Sequence, residues 1–187
     1  CGLISAKDIA SHQIALSMAS FTFNLCVGFS VASTVMIGRK LGEKDFVNLE
    51  KVGFNNLKIA FLFMLMCGIF FILGRNILPT FFTKKEDIEV INLASKLMII
   101  AALFQLSDGI QVTALGCLRG IQDVKIPSIL TFIAYWVITI PLGYYLCFML
   151  KMGAFGMWIA LGIGLTISAI LLVLRFKELS DRKIKQN

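Results

Sequence analysis

One carboxylate, Asp108, stands near the middle of the apolar run from Ile100 to Pro127. The nearest charges along that run, Lys96 and Arg119, are twelve and eleven residues away. At about 1.5 Å per helical residue each lies roughly 17 Å along the axis, which centres the acid in a bilayer core about 30 Å thick. An ionisable group there costs at least about 2.5–3.5 kcal/mol on insertion scales and points by default to an ion or substrate pathway. Gln105 and Gln111 flank it at minus three and plus three. The three polar groups therefore share about 120° of one helix face. A buried carboxylate is stable in two ways: it takes up a proton, or it holds a cation such as Na+ with help from neighbouring oxygens. The competing reading is a structural polar residue that glues two helices together.

Other residues offer weaker chemistry. Gln13, Ser17, Ser20 and Asn24 recur at spacings of four, three and four. On a helix they fall within about 60° of one another, and Gly28 nearly continues the stripe. Such a seam cannot face lipid; it packs against a neighbour or lines a wet cavity. Tyr135 and Trp136 lie well inside a span rather than in an interfacial belt, as either ordinary packing or a wall that meets cationic or aromatic molecules. His12 is the single histidine. Cys26, Cys67, Cys117 and Cys147 sit singly in apolar runs, as small apolar residues rather than disulfides or metal ligands. A hydrolase needs paired acids, a Ser/His pair or a metal cluster. One histidine and one buried acid do not supply these, so an enzyme is not expected and no cofactor is implied.

These residues must be held by spanning helices. The chain is 58% hydrophobic and only 16% charged, with a mean hydropathy of +0.85. Soluble domains carry about 25% charged residues. The pattern predicts an all-α membrane protein with five spans: Ile9 to Ile37, Ile59 to Leu78, Leu93 to Leu118, Ile126 to Leu150 and Phe155 to Phe176. Pro141 should kink the fourth. Gly116 and Gly120 form a GxxxG spacing, and Gly156, Ala160, Gly164 and Ser168 a small-residue ridge, both suited to close packing. In the connector from Gly38 to Lys58, Phe46, Leu49 and Val52 recur between charges, which predicts a short helix lying flat on the membrane.

A net charge of +7 does not indicate nucleic acid here, because the basic residues gather in short segments between apolar runs. Alternating the spans puts twelve Lys and Arg on one side, from Arg39 to Lys58, at Arg119 and Lys125, and from Arg175 onward. Six fall on the other side: Lys7, Arg75, Lys84, Lys85, Lys96 and Lys151. The positive-inside rule then places the C-terminus in the cytoplasm and the first residue outside. The chain begins at Cys1 rather than Met and reads as a piece of a longer protein.

Several stretches resemble the multidrug and toxic compound extrusion (MATE) family, most closely its NorM-like branch. They are IASHQIALSMASFTFNLCVGFSVASTVMIGRKLG and DGIQVTALGCLRGIQDVKIPSILTFIAYWVITIPLGYYL. The resemblance implies two six-helix lobes, of which this chain is the last five helices of the second. It implies multidrug efflux by antiport with Na+ or H+ in a cell membrane, through contacts with cationic or aromatic molecules. The missing partners are the N-terminal lobe and the first helix of this lobe, which would bring a glutamate to the cation site. Asp108 matches the intramembrane aspartate of that site. The sequence departs from the family pattern at Cys26 (usually Pro), Ser17 (commonly Asn) and Met36 (commonly Arg). The alternatives are a lipid-linked oligosaccharide flippase of the same superfamily, for which a midspan acid without a base is unsuited, and a non-transporting helical scaffold.

Overall fold

The computed structural model describes residues 6–83, 87–150 and 152–185, all of whose regular structure is helical. Cys1, Lys84, Lys85 and Lys151 lie outside the described residues, and Lys7 outside those with described side chains. Five helices are long and apolar enough to cross a membrane. They are α1 (Ala6–Gly42), α2 (Phe46–Gly74), α3 (Ile88–Gly120), α4 (Lys125–Met149) and α5 (Ala154–Lys185).

The expected flat helix does not exist. Phe46, Leu49 and Val52 belong to α2, which runs unbroken into the apolar span because no Pro lies between Asp45 and Gly74. The connector shrinks to a tight turn. Asp45 N–H reaches back to the Lys40 carbonyl at 3.1 Å, with Lys44 in the left-handed region at φ 55°. The α3–α4 turn repeats the device, with Asp123 N–H on the Leu118 carbonyl at 3.0 Å and Gln122 at φ 69°. Both close the helix end by a six-to-one hydrogen bond, with a non-glycine at the position usually given to Gly.

α3 is the axis of the bundle. α1, α2 and α5 pack along it, and α4 lies against α5. The GxxxG pair makes the α1–α3 approach possible: a Cβ on Gly120 would stand 2.7 Å from the Ile37 Cβ and 2.9 Å from the Thr34 carbonyl oxygen. Thr34 donates its hydroxyl to the Gly116 carbonyl at 2.9 Å, tying the two helices at this notch. The small ridge of α5 meets α4, where Gly156 lies against the Leu146 backbone and Gly164 against Thr139. α4 carries widened π-helical turns at Ile133–Thr139, just before Pro141, which has no N–H to give, and at Tyr145–Met149.

Two apolar clusters close the ends of the bundle. One joins Ile37, Leu49, Leu57, Leu118, Leu172 and Phe176; the other joins Phe71, Leu97, Met98 and Trp158. Between these two levels α3 carries Gln105, Asp108 and Gln111.

Candidate functional site

Asp108 projects from α3 in the polar layer between the two apolar ends. Its neighbour Gly109 lets the surrounding helices come close: an added Cβ there would stand 2.6 Å from Met64 Cγ on α2 and 3.4 Å from Cys26 Sγ on α1. Asp108 is one residue before Gly109, which faces Cys26 of α1, and three before Gln111, which bonds Tyr135 of α4. α1, α2 and α5 stand around α3, while α4 lies against α5 and reaches α3 at the Tyr135–Gln111 bond. α1 and α4 share hardly any contact, which leaves a gap between them. Among the described residues, no hydrogen bond or ion pair reaches Asp108.

The two glutamines part company. Gln111 is 4% exposed and turns toward α4, where its Oε1 accepts from the Tyr135 hydroxyl at 3.2 Å. Gln105, 1% exposed, turns the other way. Its Oε1 accepts from Thr22 of α1 and its Nε2 donates to the Met64 carbonyl of α2, both at 3.3 Å. Gln105 thus bonds three helices together and has its polar atoms committed. The structure brings Gln111 and Tyr135 together on the face that carries Asp108 and turns Gln105 away from them.

Asn24 and Gln13 are exposed on the outer face of α1, and Asn24 donates to its own helix at the Ser20 carbonyl, 2.9 Å away. Ser17, on the same stripe, donates to the Gln13 carbonyl at 2.8 Å. The polar seam therefore lies on the outside of the five-helix bundle. Trp136, adjacent to Tyr135, points away from it: it is 62% exposed and stacks on Phe132 at 5.8 Å. Sequence reasoning missed Thr22 as the partner of Gln105, and a bond from the Trp158 indole to His12 Nδ1 at 3.0 Å that joins α5 to α1. Neither has a local signal, since each pair lies far apart in the chain.

The donor set is hard and sparse: one carboxylate, an amide oxygen and a phenol. Among the described residues no group of three His, Cys, Asp or Glu could hold a metal ion. A single negative charge among neutral oxygens suits a proton or a monovalent cation better than a transition metal.

The MatE family profile matches residues 1–145 of the 187. The chain belongs to the MatE family. It is 39% identical over 181 residues to the "Probable multidrug resistance protein NorM" of Xylella fastidiosa, covering 97% of this chain and 38% of that protein. It is 38% identical over 178 residues to the "Multidrug resistance protein MdtK" of Yersinia pseudotuberculosis, covering 93% of this chain and 38% of that one. This MatE chain thus spans about two fifths of the length of the relatives it matches. In fold it matches the crystal structure of the eukaryotic MATE transporter AtDTX14, with a TM-score of 0.84 at 20% identity, over 96% of this chain and 41% of that one. The MatE chain is a multi-pass membrane protein and not an enzyme.

Proposed function

We propose that this chain is the C-terminal part of a cation-coupled multidrug efflux transporter of the cell membrane, with Asp108 as the point where ion and drug exchange. The observation that carries the reading is the position of that acid, midway along the central helix on the face it shares with Gln111, with no ion pair to it among the described residues. A proton or Na+ binds at Asp108, and Gln111 and Tyr135 supply the neutral oxygens beside it. A cationic drug competes for the same charge. Exchange becomes transport when ion and drug favour different conformations of the whole protein.

The gap between α1 and α4 is the natural seat for the lobe's first helix, and the exposed seam at Gln13 and Asn24 for further upstream segments. The names of the relatives favour drugs over lipid-linked oligosaccharide as cargo. In the full-length protein, Asp108→Asn should abolish ion-driven drug efflux while expression and membrane insertion stay unchanged. Drug resistance retained in that variant rejects the role. Efflux from vesicles under an imposed Na+ gradient, and separately under a pH gradient, identifies the coupling ion.

A further inference from the structure

On the flank of the bundle where α2 meets α5 lies a groove of about 650 Å³ that Asp108 does not line. Its walls are almost wholly apolar, with Phe61 and Leu62 on α2 facing Ile170 and Val173 on α5. Three polar side chains reach it: Ser107, Thr166 and Lys58. The two hydroxyls bond each other at 2.8 Å, and Thr166 also donates to the Gly162 carbonyl, so they satisfy one another. Lys58 is different. It is exposed, and among the described residues nothing pairs with it.

The groove opens toward a basic rim. Lys51 lies two turns before Lys58 on the same face of α2, and Lys177 one turn beyond Leu174 on α5; both are exposed. The start of α2 and the end of α5 meet here, with Phe54 on Phe176 at 5.9 Å and Lys183 over the Phe46 ring at 5.9 Å. In a bilayer an apolar trough of this size is filled by hydrocarbon, because an empty one forfeits dispersion contacts. A lysine at the hydrocarbon edge reaches for phosphate or water. Basic pockets between helices near the interface select anionic headgroups.

We propose that this groove holds an anionic phospholipid of the surrounding membrane, one acyl chain lying between α2 and α5 and the phosphate on Lys58. Charge complementarity chooses this occupant: any lipid chain fits the trough, and a net negative headgroup best matches a rim whose Lys51, Lys58 and Lys177 have no ion pair among the described residues. The groove lies between α2 and α5, away from the gap between α1 and α4. The proposal is independent of the role given to Asp108.

The test uses the full-length protein in nanodiscs of equal phosphatidylglycerol and phosphatidylcholine, with native mass spectrometry of retained lipid. Phosphatidylglycerol should be retained over phosphatidylcholine, and Lys58→Gln should weaken its retention about fivefold. Ala169→Phe, which fills the floor, should lower retention of both lipids. A phosphatidylglycerol carrying a photoreactive acyl chain should label residues 54–62 and 166–174 in the unmutated protein, which needs no variant to fold. Equal retention of the two lipids, indifference to Lys58→Gln, absence of label from these segments, or a crosslink there to another protein segment would each overturn it. Efflux assays on Asp108→Asn read the transport proposal separately.

Discussion

Gln105 and Gln111 have the same side chain, sit six residues apart on one helix, and do different work. Gln105 holds Thr22 and the Met64 carbonyl, so its loss is a packing event. Interhelical polar contacts in membranes are worth about 0.6 kcal/mol on average and up to about 1.7. Gln105→Leu should lower unfolding stability by that order and leave the dependence of efflux on the ion gradient intact. Gln111→Leu should do the reverse, shifting the ion dependence of transport through the loss of the Tyr135 contact with little change in stability. Parallel unfolding and ion-titrated efflux measurements separate the two. Thr113 has a buried hydroxyl with no hydrogen-bond partner among the described residues. Thr113→Val keeps the shape and removes that burden, so it should stabilise the protein by about 1 kcal/mol in a thermal melt. A helical wheel shows that Gln105, Asp108 and Gln111 share a face; it does not show which neighbour stands on which side. That divergence was therefore invisible in the sequence, while the isolated acid was plain.

At the level of the helices, the GxxxG notch and the short turns decide how closely the spans pack. Gly120→Leu would drive a side chain into Ile37 and the Thr34 carbonyl. Overpacking of this kind costs about 1–3 kcal/mol, and crosslinking between cysteines placed on α1 and α3 should report the separation. In the α1–α2 turn, hydrogen bonds from Asn48 and Lys40 hold the Asp45 carboxyl below its ordinary range, and Lys40 and Arg39 do the same for Glu43. Depressed carboxyls contribute stability that is complete above their unfolded value near pH 4 and fades as pH falls through the lower folded value. Hydrogen exchange at the Asn48 and Leu49 amides should therefore quicken only below about pH 4, and Asp45→Asn should flatten that dependence. The spans themselves were legible as apolar runs. The turns were not, because Lys44 and Gln122 take a backbone conformation that composition assigns to glycine. The flat helix was misplaced for a related reason: the amphipathic pattern of Phe46, Leu49 and Val52 passes into the apolar run without a proline to end it.

For the molecule as a whole, charge and closure act together. The basic end carries the α1–α2 turn, the α3–α4 turn and the tail of α5, and Arg175 clasps Asp123 at 2.9 Å across the last two. Of the twelve Lys and Arg assigned to that side, all lie within the described residues. A fluorescent protein fused after Asn187 should light up in the cytoplasm, and a periplasmic alkaline phosphatase fused there should stay inactive; the opposite pair of results would invert the topology.

The bundle's incomplete ring also constrains biogenesis. A membrane offers no water to the Gln13–Asn24 stripe of α1, nor a hydrogen-bonding partner to an acid left in an unfilled gap. Expressed by itself, the chain should insert but fail to mature, persisting as a short-lived, protease-sensitive species. Co-expressing the part of a full-length relative that this chain does not cover should extend its lifetime in a pulse-chase experiment, so that survival itself becomes a readout of completed assembly.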